Sequence, residues 1–552
     1  MGTGLSFVKN CLQPFSVAPA DPLTLYFSIP EGDPMDCLLL HVPKYKHHYG
    51  PYGEAMFINY LACGMFSLAS EVQRKGYSVE VVHLGLEQMV NARFDLAHYL
   101  TIHRPAVVGL SLYWHHQSPD TLAVARTVRE TLPDSFIVLG GHTASWFARE
   151  IIEDYDFIDA VVQGEGERPL VELMGGHASA RELSQIPNLV WRDGGEVRIN
   201  KERWHATDAQ LDGYGFSDFL LLASARDYPH LYPYMFPPRR RFLNRLLFEK
   251  RRTAAFLIPL GRGCNLQCAW CGGGKEATRT VLARKCPGRL SADAVMEHLE
   301  RALRFGYSAV ATDFDGPGVE EVIAEVLAMC RRRGLRPSWA LDAWTLPSKD
   351  FIDDFSATVG PGSSLEFSPD LASEELREKY KAYRFTNDDL FRTLEYLEKK
   401  ETAIGLHFIY GLPGQEKTRA ETREMVDRLY RFDCVMRIQQ HACELDPASP
   451  LFSDPDKYGI VPHLTTFADY VEAHSGDFKM GYSLPGRGED ELFAARCNDV
   501  CLIGRNGKVK CQAMQAVTSR PALDILTYAA GKTLWGLRYD SRISKLFMPG
   551  AK

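Results

Sequence analysis

The 552-residue chain is poor in cysteine and contains no long apolar run. Its 13 cysteines are too few for a disulfide scaffold, and no stretch approaches the ~18 unbroken apolar residues of a membrane-spanning helix. The first residues lack the charged-then-apolar layout of a secretory signal. We therefore expect a cytoplasmic protein with reduced thiols and no membrane partner. Basic charge is not in excess, and the net charge of −7 argues against a nucleic-acid partner.

The composition of the chain is that of an ordinary globular protein. Hydrophobic residues make up 45% of the sequence and charged residues 24%. These fractions exclude a disordered chain, a collagen and a coiled-coil rod. At about 150 residues per domain, the length predicts roughly three or four domains.

Apolar strand-like runs alternate with helical segments in the first part of the chain, which predicts an α/β domain over residues 1–175 with a doubly wound, Rossmann-like parallel sheet. The predicted strands are Cys37–His41, Val79–His83, Ala106–Leu112, Phe136–Leu139 and Ala160–Val162. The predicted helices are Phe57–Lys75, Asp120–Thr131 and Ala144–Asp154. Residues 176–253 break this rhythm and are predicted to be a linker that contains a hairpin, with strands Asn188–Trp191 and Val197–Asn200 around the turn.

A second α/β series follows and predicts a complete or partial βα barrel over residues 254–470. Its strands are predicted at Ala255–Leu260, Ala309–Phe314, Ser338–Ala343, Ser364–Ser368, Ile404–Tyr410 and Met436–Gln440. Helices are predicted between them at Ala292–Arg304, Val319–Arg333 and Asp388–Lys400. Residues 471–552 lose the repeat and are predicted to cap the substrate site.

Three cysteines form the strongest chemical motif. Cys264, Cys268 and Cys271 follow the first barrel strand with CxxxCxxC spacing, and glycines come directly after them. Structural zinc usually takes four protein ligands, and no partner pair follows nearby. Three thiolates on a four-iron cluster leave one iron open for a small molecule. We therefore predict that these cysteines bind a [4Fe-4S] cluster.

The cysteine spacing, with Trp270 before the last cysteine, resembles the radical S-adenosylmethionine superfamily. The resemblance implies that the open iron binds S-adenosylmethionine and that an external low-potential donor, a flavodoxin or ferredoxin, reduces the cluster. It also implies that further barrel residues bind S-adenosylmethionine. These are Trp270, Asp315, Gly316, Glu366, Ser368 and Gly411. The glutamate that the family usually places after the second strand is absent, so Asp313 or Asp315 would replace it.

Glu276 follows the last cysteine by five residues, and two interpretations of it stay open. It is a candidate fourth ligand of the open iron, which would favour polar over radical chemistry. The alternative is a solvent-exposed loop glutamate, the commoner state for this residue type.

Glycine-rich segments follow three strands of the first domain, at 109–114, 139–145 and 162–167. Glycines at one rim of a parallel sheet let a bulky ligand approach the backbone. This half resembles the cobalamin-binding domain of one radical S-adenosylmethionine subclass. The resemblance implies that the cofactor-binding residues are Ser111, Leu112, Tyr113, Gly140, Gly141, Thr143, Gly164, Glu165 and Gly166. Trp114, His115 and His116 follow and would also face the corrin.

An alternative ligand for this domain is flavin, bound by a flavodoxin-like fold.

If the ligand is cobalamin, His47, in the loop before Gly50, is a candidate ligand for the lower face of the cobalt. Tyr45 stands where the supporting aspartate of the usual motif would be, so a hydrogen-bonding or surface role for His47 is favoured.

Together the two resemblances imply a cobalamin-dependent radical S-adenosylmethionine C-methyltransferase acting on a small molecule in natural-product (antibiotic) biosynthesis. The tryptophan 2-C-methyltransferases of thiopeptide biosynthesis are the most similar subclass, and Glu276 is then the candidate catalytic residue. The first alternative is a rearrangement or cyclisation without methyl transfer. The second is an iron–sulfur binding or electron-transfer protein, which would neither cleave nor demethylate S-adenosylmethionine.

Cys497, Cys501 and Cys511 form a second, sparser group without an evident fourth ligand. A second cluster there would double the iron content. We expect about four iron atoms per chain in anaerobically reconstituted protein, because only the first motif has cluster spacing. Iron analysis checks this, and about eight atoms per chain would assign a cluster to the second group.

Overall fold

The computed structural model describes residues 34–43, 57–58, 61, 63–91, 93–176, 179–230, 234–235, 255–307, 309–312, 318–429, 431–475 and 480–486. Several predictions lie outside these ranges. They concern His47, Asp313, Asp315, Gly316, Cys497, Cys501 and Cys511.

The first half of the chain forms a parallel-dominated sheet, as predicted. Its strands, and two short strands that pair separately, are β1 (Cys37–His41), β2 (Phe57–Ile58), β3 (Val79–His83), β4 (Val107–Ser111), β5 (Phe136–Gly140), β6 (Ala160–Val162), β7 (Leu189–Asp193), β8 (Glu196–Ile199) and β9 (Tyr234–Met235). The seven-stranded N-terminal sheet has the order β3-β1-β4-β5-β6-β7-β8. The chain reverses direction across the sheet between β1 and β4, and such a switch point opens a crevice at the carboxyl ends of the strands.

The predicted hairpin is present and extends this sheet. Strand β7 pairs antiparallel with β6, and β8 pairs with β7 around Gly194 and Gly195. Both glycines have positive φ, as a tight two-residue turn requires.

The helix predicted at Phe57–Lys75 is wrong at its start, because the structure begins that helix at Gly64. Phe57–Ile58 instead pairs antiparallel with Tyr234–Met235. Aromatic and β-branched residues favour extended backbone, and glycine is poorly suited to a helix interior. The helical spacing of apolar residues continues before Gly64, and the prediction therefore placed the start of the helix too early.

The helices of the first half cover the N-terminal sheet. They are α1 (Gly64–Arg74), α2 (Leu84–Val90), α3 (Leu96–His103), α4 (Ser118–Thr131), α5 (His142–Trp146), α6 (Ala148–Asp154), α7 (Glu167–Gly176), α8 (Ala180–Leu183) and α9 (Asp208–Asp212). The predicted helix Ala144–Asp154 is therefore two helices, α5 and α6, that meet at Phe147.

The second half forms a six-stranded parallel sheet with its strands in chain order, the arrangement of a partial βα barrel. Its strands, with short accessory strands, are β10 (Ala255–Leu257), β11 (Gly261–Arg262), β12 (Gly288–Arg289), β13 (Ala309–Thr312), β14 (Ser338–Ala343), β15 (Ser364–Asp370), β16 (Ile404–Tyr410), β17 (Val435–Ala442), β18 (Val461–Pro462) and β19 (Tyr482–Ser483). The barrel sheet has the order β10-β13-β14-β15-β16-β17. All five of its pairings are parallel, so its carboxyl ends share one mouth.

Helices alternate with the barrel strands. They are α10 (Lys275–Thr280), α11 (Ala292–Phe305), α12 (Glu320–Arg333), α13 (Lys349–Thr358), α14 (Glu374–Tyr380), α15 (Asn387–Lys399), α16 (Arg419–Leu429), α17 (Pro450–Ser453), α18 (Pro455–Tyr458) and α19 (Phe467–Ser475). Among the described residues, no helix combines the length and the apolar character needed to cross a membrane.

One hydrophobic core runs through both halves. Phe219, in the segment between the two sheets, contacts Phe66 of the first half and Phe256 of the barrel, with ring centroids 5.5 and 4.9 Å apart. The residues around Phe219 therefore pack as part of the core.

Helix α19 returns from the barrel to the N-terminal half. Phe467 is fully buried and its ring packs against Phe147 and Tyr155. Its backbone N–H donates to the carboxylate of Glu150 at 2.6 Å. The end of the barrel is thereby attached to the N-terminal sheet.

We expect Phe467→Ala to lower the free energy of unfolding by about 3–5 kcal/mol, because it leaves a cavity between α19 and the N-terminal half. Val461→Ala, at a side chain 44% exposed, is the control and should cost little. Denaturant unfolding measures both. Equal midpoints for the two variants would contradict the packing role of α19.

Candidate active site

The three motif cysteines lie on one loop at the mouth of the barrel, the cluster loop, Gly261–Gly274. The N–H of Cys264 donates to the Thr278 hydroxyl at 2.8 Å, which in turn donates to the Cys264 carbonyl at 3.0 Å. The N–H of Cys271 donates to the Cys268 carbonyl at 3.2 Å. Thr278 belongs to α10, so this helix holds the start of the loop.

All three thiols are free and partly accessible. Burial raises the pKa of each, and that of Cys271 reaches about 12, with Asp446 and the neighbouring thiols adding to the effect. Cys264 and Cys268 both contribute to the raised pKa of Cys271, which is consistent with three thiols on one short loop. Three such thiols fit the donor set of a cluster with one open iron.

Glu276 lies on the first turn of α10, next to the cluster loop. Its carboxylate accepts two hydrogen bonds from Arg279, at 2.9 and 3.1 Å. Its role as a fourth iron ligand stays a prediction.

Polar groups lie along β15 and in the middle of β16 in the barrel. Glu366 is buried and its carboxylate contacts His407 Nε2 at 3.2 Å and the Ser364 hydroxyl at 3.0 Å. The Ser368 carbonyl accepts a hydrogen bond from Lys381 Nζ at 2.8 Å. Glu366 and Ser368 thus stand two residues apart on the same barrel strand, with Ser368 nearer its carboxyl end. That both bind S-adenosylmethionine stays a prediction.

Asp370 and Lys381 form a buried ion pair beside the cysteines that sequence reasoning missed. Burial raises the pKa of the Asp370 carboxyl, and Lys381 opposes this effect. Asp370 has φ of 62°, a strained conformation for a residue with a side chain, at the end of β15. The strand-end position was a signal that could have identified it.

Two other predicted residues pack beside this mouth. Trp270 is partly buried against the apolar cluster that contains Ala269 and Tyr380. The Gly411 carbonyl accepts a hydrogen bond from the Tyr482 hydroxyl at 3.2 Å. Both residues lie where the barrel meets the following chain segment.

The predicted cobalamin rim is a close-packed turn structure at the carboxyl ends of β4 and β5. Ser111 ends β4 opposite Gly140 of β5, and the Leu112 N–H donates to the Gly140 carbonyl at 2.8 Å. Thr143 is buried, and its hydroxyl donates to the Tyr113 carbonyl at 3.0 Å. Tyr113 is 39% exposed and offers an aromatic face.

Gly141 explains why this rim needs glycine. Its φ is 107°, and a Cβ there would lie 2.6 Å from the Leu112 carbonyl oxygen. Any side chain would push the two turns apart. The rim therefore presents bare backbone, which fits a bulky flat ligand.

The third glycine segment, Gly164–Gly166, contains Glu165, which contacts the barrel half of the chain. The Glu165 carboxylate contacts both Arg262 of the cluster loop, at 2.8 Å, and Arg284. Glu167 also pairs with Arg262. We name Glu165, Glu167, Arg262 and Arg284 the ionic network. It connects the end of β6 to a residue two positions before Cys264.

The ionic network is buried, so its charges depend on one another. Burial by itself raises the pKa of Glu167, but the Arg262 guanidinium outweighs this and holds that pKa below its usual range. Glu165 and Glu167 have side chains no more than 3% exposed. Removing one arginine would leave carboxylates buried without compensation.

The carboxyl ends of the two sheets meet at Asp446, which follows β17. Its carboxylate is 2.9 Å from His115 Nε2, in the turn after β4, and accepts the Gly272 N–H at 3.2 Å. Gly272 directly follows Cys271. Burial raises the pKa of Asp446, but the hydrogen bonds from His115 and Gly272 lower it below its usual value. We name His115, Asp446 and Gly272 the seam.

Sequence reasoning noted His115 but missed Asp446. Asp446 is the fourth residue after a barrel strand, and a strand-end carboxylate was an available signal. Nothing in the sequence related it to a histidine more than 300 positions earlier.

Comparison with known proteins agrees with this architecture. Residues 60–174 match the family model of the B12-binding domain. The hopanoid C-3 methylase of Methylococcus capsulatus is 27% identical over 136 residues, 24% of this chain and 26% of that protein. The chain therefore matches only about a quarter of the length of this curated relative.

Two solved structures share the fold. TsrM from Kitasatospora setae, a radical S-adenosylmethionine methyltransferase solved with its tryptophan substrate and an aza analogue of S-adenosylmethionine, aligns with a TM-score of 0.63 and 15% identity over 93% of this chain and 99% of that one. A second TsrM structure contains cobalamin and a [4Fe-4S] cluster. The cobalamin-dependent S-adenosylmethionine radical enzyme OxsB aligns with a TM-score of 0.50 and 15% identity over 72% of this chain and 52% of that one. The predicted fold class and the predicted resemblance are confirmed.

We expect Arg262→Met to cost about 3–5 kcal/mol near pH 7.5, because it leaves Glu165 and Glu167 short of a buried partner. In the wild type, the stabilisation due to the lowered pKa of Glu167 is present above about pH 4.3 and is lost as pH falls further. In the variant, burial raises that pKa instead. The difference in unfolding free energy should therefore shrink as the pH approaches about 4.5.

The matched control is Arg149→Met, which removes an exposed pair with Glu153 and should cost under about 1 kcal/mol. Urea unfolding at both pH values measures the two variants. A loss for Arg262→Met that is no larger than the control, or that does not change with pH, contradicts the role of the network.

Proposed function

We propose that this protein is a cobalamin-dependent radical S-adenosylmethionine C-methyltransferase that acts on an electron-rich aromatic small molecule, with tryptophan or a related indole as the best candidate. The observation that carries the proposal is the seam. Through His115, Asp446 and Gly272, the rim of a B12-binding fold contacts the backbone beside the last cysteine of the cluster motif.

The residues on both sides of the seam fit the two cofactors. Cys264, Cys268 and Cys271 would hold the cluster. The bare backbone around Gly140 and Gly141 would hold the corrin. When bound, the cobalamin would supply a transferable methyl group and the cluster a low-potential electron, which an external flavodoxin or ferredoxin would deliver.

The chain's own residues orient the reactants. Glu366 and His407 place hydrogen-bonding groups on β15 and β16 of the barrel, where the polar parts of S-adenosylmethionine would bind. Asp446 holds the cluster loop through Gly272, and the ionic network holds it through Arg262. These two contacts fix the cluster loop against the N-terminal sheet from opposite ends, which keeps the reacting groups at a set separation.

The aromatic substrate class is supported by two observations. The fold aligns along nearly its whole length with an enzyme whose structure contains tryptophan. The rim also places Tyr113 and Trp114 side by side, with ring centroids 5.4 Å apart. Aromatic side chains at a cleft favour flat aromatic ligands.

The test supplies S-adenosylmethionine with a deuterated methyl group, together with cobalamin, reductant and tryptophan or simple indoles. We expect a product that carries the intact labelled methyl group, detected by mass spectrometry. Cys268→Ala should abolish product formation, because two thiolates do not hold the cluster. Cys286→Ala, at an exposed free cysteine, is the matched control and should keep full activity.

The outcome also separates the alternative functions. An altered substrate without label would indicate rearrangement or cyclisation. A protein that leaves S-adenosylmethionine intact with every reductant and every indole would be an iron–sulfur binding or electron-transfer protein. Either result would overturn the proposed methyl transfer.

A further inference from the structure

Three histidines and two carboxylates converge behind the rim, at the junction of three chain segments. His115 and His116 lie on the short turn after β4, Glu444 follows β17, and His474 ends α19. His115 Nε2 and His116 Nε2 lie 3.9 and 2.5 Å from the same oxygen, Oε2 of Glu444. The three imidazole rings lie within 5.0 Å of one another.

We propose that His115, His116 and Glu444 bind one zinc ion. The site uses none of the three cluster cysteines. It shares His115 with the seam, but zinc binding does not require the proposed methyl transfer.

The donor geometry supports this assignment. The three ligand atoms lie within 4.8 Å of one another. Around tetrahedral zinc, neighbouring ligand atoms are about 3.3 Å apart, a value between the two distances to Glu444. Two imidazoles and one carboxylate are an established zinc donor set, and they leave one position for water or another donor.

The second contact of His115 also fits a metal ligand. Its Nδ1 lies 2.8 Å from His474 Nε2. With Nε2 on the metal, the proton is carried on Nδ1 and is donated to His474, and the zinc ion takes the place of the Nε2 proton that Asp446 otherwise accepts in the seam. Metal-bound histidines usually donate their other ring N–H to a neighbouring acceptor in this way, which fixes the ring.

The charge balance points in the same direction. Glu444 is 13% exposed, and Asp446 approaches the same His115 nitrogen at 2.9 Å. The mostly buried carboxylate of Glu444 and the 43% exposed carboxylate of Asp446 therefore meet at one histidine, and two like charges this close are costly without a compensating cation. One divalent cation would balance both negative charges.

The backbone around the site is held firmly, as a metal site requires. Gln117 Nε2 donates to the Val42 carbonyl at 2.7 Å, which fixes the histidine turn against the end of β1. On either side of Glu444, Cys443 N–H donates to the Tyr410 carbonyl and Leu445 N–H to the Met480 carbonyl, both at 2.8 Å. The ligands are therefore presented without any rearrangement of the fold.

The experiment measures zinc, iron and corrinoid in the full-length protein after zinc supplementation and removal of loosely bound metal. We expect about one zinc per chain in the wild type. His116→Gln and Glu444→Gln should lose it and keep their iron. His98→Gln, at an exposed histidine, is the matched control and should keep both metals.

The proposal would be overturned if the wild-type protein holds no zinc or if the two variants keep it. The histidines and Glu444 would then be joined by hydrogen bonds alone. Zinc X-ray absorption of the wild type gives an independent answer if the variants also lose iron. A nitrogen and oxygen shell with imidazole scattering supports the site, and sulfur in the shell overturns it. Zinc bound by Cys264, Cys268 and Cys271 would also overturn the proposed function, whereas a wild-type protein without zinc would overturn only the zinc site. The two failures are therefore distinguishable.

Discussion

Two guanidinium groups of the barrel half, on Arg262 and Arg284, lie against two buried carboxylates of the N-terminal half, on Glu165 and Glu167. Buried charges of this kind are tolerable only when each is matched, so the two halves must dock in one register. Because Arg262 stands two residues before Cys264, that register also sets where the cluster loop lies. The seam contacts the same loop at Gly272, so it depends on this register as well.

The seam and the ionic network act on the same loop from different directions. Arg262 holds the loop before its first cysteine, and Asp446 holds it after the last one through Gly272. Between these points Cys264 and Cys268 are close enough to Cys271 to raise its pKa. A loop fixed at both ends keeps this donor set preorganised, which lowers the cost of binding a rigid inorganic group.

The sequence predicted the strands well because buried parallel strands are short apolar runs, and Cys37–His41 and Ile404–Tyr410 match to the residue. It failed at Phe57, where a helical period continued through residues that pair as a strand. The cluster cysteines were predictable because their spacing is local. That Glu165 binds the cofactor stays a prediction, and its carboxylate contacts two arginines of the barrel half. Its partners Arg262 and Arg284 are about 100 residues away in sequence, and no pattern in one chain reveals such a pairing.

The chain is attached to the N-terminal sheet both before and after the barrel, by Arg262 at the start and by α19 at the end. Attachment at both ends of the barrel restricts a hinge motion, since rotation about either contact breaks the other. Under the proposed function, reactants would therefore reach the cluster loop without a rotation of the two halves. Selectivity for size and shape would then be set by the fixed side chains around the loop and not by closure around the ligand.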